Sequence, residues 1–453
     1  MNIKFTKRLK YKLPRDIPNV RSWDPQSIFL DRDFLLLWFS QITTLIGGGI
    51  FALVVAFLAD TGGLPKGHGI SSSSSAMGIV ILLNNFPSFF VAFIAGVMAD
   101  WFDRKKIMII SNVLRMLLLV IFLVFHGWEF TFFAFGIIFF ISAAKQFFLP
   151  AEASIIPDIV ARKNIMPANS IFNLTTYVTY VLGFILAGPL LDLMGPDKLI
   201  LFLILLFILA TIATLFIRVP KPVEKRDVSL FRFVKLVQDF IESFISGLQY
   251  IFRDKVQKVM MVHNLVAQSF LYIFIALVFK LGEFLIGLTP SNVGFASVMP
   301  MGVGIIIGVL ILNTRFKYSK RVKLSLFGVL AIFIASVTLS IASLLKWHSI
   351  GLLGYSVHTV VVILTGVSVI TIGLGFPFLL IPSQTVIQEK TEQGFLGRVY
   401  GVWLALSQAL ASVPAVIIGY TADFLLGVPT TLVWSSIIIG TYAIVLSRYK
   451  NLV

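Results

Sequence analysis

The sequence predicts an all-α membrane protein of twelve transmembrane helices in two pseudo-symmetric six-helix bundles. Three observations lead there. Apolar stretches of about 20 residues, the length that crosses a bilayer core, recur from end to end. Lysines and arginines cluster in alternate connections between those stretches. Landmark residues of the first six stretches reappear about 231 positions later, in the last six. The composition agrees: 58% of the 453 residues are hydrophobic and 13% charged, where soluble domains carry about 25% charged residues.

Residues 1–33 form a basic tail whose eight Lys and Arg side chains suit anionic lipid headgroups. No signal-peptide pattern is visible. Spans 1 to 6 are read at Phe34–Leu58, Ser75–Met98, Ile107–Phe125, Phe130–Leu149, Met166–Leu191 and Leu199–Ile217, and make an N-terminal bundle over residues 34–218. Residues 219–257 form a linker. Pro220 and Pro222 stop span 6. Beyond them Phe233, Val237, Phe240, Phe244, Leu248 and Ile251 make one helix face, and Arg232, Lys235, Asp239, Glu242 and Gln249 the other. That is the pattern of a helix lying in the membrane interface. Spans 7 to 12 are read at Val259–Val278, Val293–Leu312, Leu324–Leu345, Val360–Ile381, Leu396–Tyr420 and Thr430–Leu446. They make a C-terminal bundle over residues 258–446, followed by a tail over residues 447–453.

Twelve spans put both termini on one side. Of the 37 Lys and Arg residues, 31 fall on that side. Lys66, Lys198, Lys280 and Lys346 are the 4 on the other, and Arg115 and Lys145 lie within spans. This asymmetry places both termini in the cytoplasm and explains the net charge of +16 without a nucleic-acid partner. The expected location is the plasma membrane of a bacterial cell, its inner membrane, crossed many times. The absence of Cys excludes disulfides and thiolate metal sites, and no cofactor or metal is expected.

The halves read as a parallel repeat. Pro150 ends span 4 and Pro382 ends span 10, 232 positions apart. Gly188 and Asp192 close span 5 as G-x-x-x-D, and Gly419 and Asp423 close span 11 with the same spacing. Parallel halves place a substrate site between them at mid-bilayer.

Between spans 2 and 3 lies GVMADWFDRKK, from Gly96 to Lys106. It resembles the loop motif G-x-x-x-D-R-x-G-R-R/K of the major facilitator superfamily, found between that family's second and third helices. Gly96, Asp100, Arg104 and Lys105 match, while Trp101 stands where Arg is usual and Asp103 where Gly is usual. The Asp103-Arg104 pair, Arg115 and the runs FLPAEASIIPDIV and PSQTVIQEKTEQGFLGRVYG resemble the branch of macrolide-efflux, enterobactin-exporter and lysophospholipid-transporter proteins. The resemblance covers the chain after residue 30 and implies the major facilitator fold. It also implies a cytoplasmic gate, in which Asp100 docks on the start of span 11 at Gly397 and Arg398. A helix N-terminus has free N–H groups and partial positive charge, so it attracts a carboxylate. Arg104 and Lys105 would then meet carboxylates of the facing loop, such as Glu389, or lipid phosphates.

Polar residues inside spans are the candidates for a substrate cavity. Arg115, eight residues into span 3, requires an anionic substrate group, a carbonyl cluster, or structural partners such as Asn112, Asn84 and Asn85. His263 and Asn264 sit one turn into span 7, where the histidine is either a proton relay or a satisfied neutral group. Span 1 offers Gln41 and Thr44, and span 7 adds Gln268. Span 5 offers Asn169, Asn173, Thr176, Tyr177 and Tyr180, most of them on one helical face. Every acid is read in a loop or at a span end, with Asp33, Asp60, Asp192, Glu283 and Asp423 the nearest to the membrane.

The expected function is secondary active transport by alternating access, exporting a hydrophobic or amphipathic small molecule (drug- or siderophore-like) in exchange for protons. Lysophospholipid transport is the alternative, with Arg115 as a phosphate ligand. The expected partners are the substrate, membrane lipids and protons, and the chain is expected to act as a monomer. A membrane-embedded enzyme would need a clustered catalytic set within the spans, and an ATP-driven pump a GxxxxGK[ST] loop. Neither is present in the sequence.

Overall fold

The computed structural model describes residues 29, 31–60, 73–125, 131–161, 164–219, 230–288, 294–316, 321–349, 356–391 and 396–448. Thirteen α-helices carry nearly all of them. In the first half these are α1 (Arg32–Asp60), α2 (Ser73–Asn85), α3 (Pro87–Trp101), α4 (Arg104–Val124), α5 (Thr131–Ile159) and α6 (Ile165–Phe216). The linker helix is α7 (Leu230–Arg253). The second half has α8 (Lys255–Leu281), α9 (Met299–Arg315), α10 (Arg321–His348), α11 (Val357–Lys390), α12 (Leu396–Tyr420) and α13 (Gly427–Ser447). Short π-helical turns cover Gly282–Ile286, Gly294–Val298 and Thr421–Leu425.

Ten stretches are long and apolar enough to cross a membrane. One of them, Leu182–Phe216, lies in α6, which is broken at Gly195 by a φ of 71°. Glycine adopts that left-handed conformation without a Cβ clash, and Pro196 then opens a new helix with its φ already set. A shorter apolar helix spans Met299–Leu312. Each of the twelve predicted spans overlaps a described helix, with span 2 divided between α2 and α3, spans 5 and 6 both on α6, and span 8 taking in the π-helical turn before α9.

Local chemistry sets several helix starts. Asp31 Oδ1 accepts from the N–H groups of Asp33 and Phe34, at 3.0 and 3.3 Å. Asp103 Oδ1 accepts from Lys105 and Lys106, at 3.0 and 3.3 Å, and so caps α4. Ser356 Oγ accepts from Thr359 N and caps α11. These caps satisfy donors that a helix start leaves open.

The prolines behave differently from the sequence expectation. Pro150 and Pro382 do not end their helices. α5 runs on through Pro150 and Pro157 to Ile159, and α11 through Pro377 and Pro382 to Lys390. A proline removes one helical hydrogen bond, but neighbouring helices in a bundle re-satisfy the freed group. The extension carries Glu152 and Asp158 out of the predicted loop and into α5.

Within the first half α1 packs on α6, α4 on α5 and α6, and α3 on α5. Within the second, α8 packs on α11 and α12, α9 on α11, and α10 on α11 and α13. The linker helix α7 lies against α8 and α12. Its Ile251 is buried in the second half's core, with Phe244 and Leu248 packed beside it. The Phe244 ring also meets Phe89 of α3 edge-on at 5.8 Å.

The two halves meet where α2 packs on α12 and α8, and where α6 meets residues 294–298 and α9. Small residues let these backbones approach closely. A Cβ on Gly78 would lie 2.8 Å from Ala415 O, and one on Gly294 would overlap Phe184 O. The two carbonyls, at 184 and 415, are 231 positions apart, and each faces a glycine of the opposite half. Two ion pairs also correspond between the halves, their acids 231 positions apart and their arginines 217. Arg104 of α4 meets Asp158 of α5 at 2.6 Å, and Arg321 of α10 meets Glu389 of α11 at 3.1 Å.

Gly78→Leu forces α2 away from α12 and is expected to lower stability by about 1–3 kcal/mol, as overpacking does. Gly136, where a Cβ meets nothing within 4 Å, is the control. Thermal melts of the purified protein should separate Gly78→Leu from Gly136→Ala, and equal melts would refute the tight seam.

Candidate functional site

The seam between the halves is closed, at the end away from Arg104 and Arg321, by one carboxylate. Asp423 sits in the π-helical turn after α12, and its side chain is 0% exposed. Its Oδ2 accepts from Ser75 N and from Ser75 Oγ, both at 2.6 Å. Its Oδ1 is ion-paired with Lys280 of α8. A buried charge is tolerable when paired and hydrogen-bonded, and this one has a cation and two donors. Ser75 belongs to the first half, Asp423 and Lys280 to the second. The carboxylate therefore ties the halves together. Further along the seam Tyr272 Oη donates to Asn85 Oδ1 at 3.2 Å and accepts from Gln268 Nε2 at 3.4 Å. Of the predicted cavity residues, Gln268 is thus placed at the seam.

A second polar centre lies inside the first half. Arg115 is 1% exposed. Its Nη2 donates to Asn112 Oδ1 at 2.6 Å and to Ser111 Oγ at 3.3 Å, and its Nε to Ser111 O at 3.3 Å. The rings of Phe148 and Phe207 lie 5.0 and 5.1 Å from the guanidinium carbon, within cation–π range. Thr44 Oγ1 donates to the same Asn112 Oδ1 at 3.4 Å, so Thr44 and Arg115 share one network. Gln41 donates instead to Phe172 O and Thr176 Oγ1, both at 3.3 Å, tying α1 to α6.

Contrary to the expectation that every acid lies in a loop or at a span end, one acid stands inside α5. Glu152 of α5 is 4% exposed, and its charge couples to that of Arg115. Among the described residues its Oε1 has no hydrogen-bond partner. Reading span 4 as ending at Leu149 hid this residue. An apolar run on both sides of Glu152, ALIGNED with the helix period through Pro150, is the signal that was available.

In the second half the predicted residues serve packing between helices. His263 Nδ1 and Tyr442 Oη of α13 are 2.7 Å apart, with the rings stacked. Asn264 donates to Ser383 Oγ at 3.2 Å and accepts from Ser407 Oγ at 2.8 Å, joining α8 to α11 and α12. Asn169 is exposed. The side chains of Asn173, Tyr177 and Tyr180 lie outside the described residues.

At the basic end, among the described residues, Arg104 and Lys105 meet partners of their own half. Arg104 pairs with Asp158 and donates to Ser154 O at 2.8 Å. Lys105 Nζ donates to the carbonyls of Leu215 and Ile217, at 2.7 and 2.9 Å, at the end of α6. Glu389 is taken by Arg321. Both bases are thus spent inside their own half, next to helix ends where a cation is favoured. Asp103, the departure from the motif, is the cap of α4. The surroundings of Gly96 and Gly397 and the side chains of Asp100 and Arg398 lie outside the described residues.

Two bundles of membrane-spanning helices, joined across an ionic and polar seam, define a multi-pass membrane transporter. The chain belongs to the Major Facilitator Superfamily, whose profile matches residues 37–416. It is 29% identical to an uncharacterized MFS-type transporter, YkuC, of Bacillus subtilis (strain 168) over 50% of this chain, a match that spans about half (51%) of that relative's length. It is 24% identical to macrolide efflux protein A of Streptococcus pyogenes, over 82% of this chain and 84% of that one. Among solved structures it is similar to the POT family transporter PepTSo, with a TM-score of 0.68 at 10% identity, covering 93% of this chain and 97% of the other. It is also similar to the nucleoside transporter NupG, with a TM-score of 0.65 at 14% identity, covering 92% and 98%. These structures share the fold.

Lys280→Ala removes the cation from the buried carboxylate of Asp423 and leaves the Ser75 donors in place. The expected loss is about 1–3 kcal/mol, the penalty of an unmatched buried group. Lys280→Arg should keep most of that stability. Melting curves of the two variants check this, and an unaffected Lys280→Ala would remove Lys280 from the seam.

Proposed function

We propose that this transporter works by alternating access, with the basic end in the cytoplasm, and exports a hydrophobic or amphipathic small molecule in exchange for protons. The observation that carries the reading is Asp423, a buried carboxylate shared between Ser75 of one half and Lys280 of the other. Such a latch holds the outer side shut and must break when the cavity opens outward. The macrolide-efflux relative supports the direction and the substrate class.

The inner side would be shut by Asp100 on Gly397 and Arg398. The antiparallel register of α2 with α12 supports this. Gly78 faces Ala415, and Ser74 faces Gly419. α3, which leads from α2 toward Asp100, also packs on α12. The two latches then alternate, since each belongs to one of two packings of the halves.

Lysophospholipid transport relied on Arg115 as a phosphate ligand. A guanidinium 1% exposed and bound to Asn112 and Ser111 is a poor receptor for a headgroup. A free carrier of this kind requires no second chain, and a monomer is the working state proposed.

In inside-out vesicles, proton-gradient-driven uptake of the macrolide erythromycin should be present, and Asp100→Asn should reduce it about 10-fold, the size of a typical coupling energy. Asp103→Asn, which retains a capping side chain, should transport nearly as well as the parent. No erythromycin uptake under any gradient would overturn the macrolide-like substrate, and full activity of Asp100→Asn would overturn the inner latch.

A further inference from the structure

We propose that Glu152 is the proton-binding group of this transporter, and that Arg115 positions it. The inference rests on the proton-coupled exporter reading above and supplies the carboxylate that reading lacks. Four observations carry it. Glu152 lies within a membrane-spanning helix and is 4% exposed. Its Oε1 has no hydrogen-bond partner among the described residues, so an oxygen is open to a proton. Arg115, itself 1% exposed, lies over the ring of Phe148, one helical turn before Glu152 on α5, at 5.0 Å, while its hydrogen bonds go to Ser111 and Asn112 of its own helix. Glu152 also stands between Pro150 and Pro157, two points where α5 lacks a helical hydrogen bond and can bend.

The chemistry follows from the closure of the site. A pair this deeply enclosed has no room for a drug-sized molecule, whereas a proton needs only the open oxygen. Proton binding turns the carboxylate into a neutral acid and cancels its attraction for Arg115. Arg115 keeps Asn112, which also receives Thr44 of α1. The change of charge is therefore felt at the contact between α4, α5 and α1, the helices that carry the first half. Membrane-buried ionisable groups with such partners are candidates for proton relays.

The other charged groups on α5 and on the helices packed against it are these. α5 itself carries Lys145, two turns before Glu152, and Asp158. α4 adds Lys105, which donates to Leu215 O and Ile217 O, and Lys106, and α1 adds Arg32 and Asp60 at its two ends. From α4, Arg104 is held by Asp158 of α5 itself. From α1, Asp33 accepts from Arg218 N. α2 contributes no ionisable residue. α3 contributes Asp100, whose side chain lies outside the described residues. On α6, Asp192, Asp197 and Lys198 lie near the Gly195 break, toward the opposite end. Arg115 is the charged group coupled to Glu152.

The test uses the full-length protein in lipid bilayers and needs no substrate. Infrared difference spectra between low and high pH should show a carboxylic-acid C=O band that shifts in D2O. The band should be absent in Glu152→Gln and displaced in Arg115→Lys. Identical spectra for the parent and Glu152→Gln would overturn the proposal. A second measurement separates coupling from folding. With erythromycin as probe, Glu152→Gln should lose gradient-driven uptake about 10-fold or more, on the scale of general acid–base effects. Exchange of labelled for unlabelled erythromycin without a gradient should persist, and Glu152→Asp should restore part of the driven uptake. Driven uptake unchanged in Glu152→Gln would overturn the assignment, as would equal loss of driven uptake and exchange. If the parent moves no erythromycin, the exporter reading fails, while the infrared band still decides whether Glu152 binds a proton.

Discussion

Hydrocarbon offers no water to answer a stray charge or an open N–H, and the rest of this structure depends on that constraint. It explains why the helices are continuous and why the ionisable groups inside them are few. It also explains how those groups are arranged. Lys105 covers the last carbonyls of α6, Asp33 accepts from Arg218 N, and Arg104 and Arg321 each bind the acid of the next helix. Asp423 gathers a cation and two donors from both halves. Pairs confined to one half hold that half rigid. A pair shared between halves makes their relative position depend on charge.

The spans were legible because hydrophobic length is a strong signal, and the linker helix because its two faces differ so sharply. The repeat was legible at spans 4, 5, 10 and 11, where prolines and the G-x-x-x-D spacing mark equivalent points. What the prolines do was not legible. Pro150 and Pro382 read as stops because an isolated helix cannot pass them cheaply, whereas packed helices share the freed backbone groups. That one misreading put Glu152 and Asp158 in a loop. With Asp158 read in a loop, the expected partners of Arg104 and Lys105 are carboxylates of the facing loop, such as Glu389, or lipid phosphates, whereas Arg104 pairs with Asp158 and Glu389 with Arg321. The true partners are set by which helices touch, information that spacing along the chain does not hold.

The candidate site shows the same division. Polarity inside a span selected Gln41, Thr44, Arg115, His263, Asn264 and Gln268, and each makes a buried or seam hydrogen bond. Their separation into four groups arises from tertiary packing. Gln41 ties α1 to α6 through Phe172 O and Thr176 Oγ1. Thr44 and Arg115 meet around Asn112, His263 and Asn264 bind helices of their own half, and Gln268 looks across to Asn85 through Tyr272. Ser75 and Lys280 gave no signal, since a serine at a helix start and a lysine at a helix end are ordinary features of a membrane protein.

The two ion pairs at the basic end also measure how far the halves have diverged. Their partners are 54 residues apart in the first half and 68 in the second. α10 has 28 residues against 21 in α4, and α11 has 34 against 29 in α5. Measured from these equivalent pairs, one helix of the second hairpin is longer by seven residues and the other by five, about 10 and 8 Å at 1.5 Å per residue. The two hairpins thus share a footing at the charged anchors and differ in helix length beyond it.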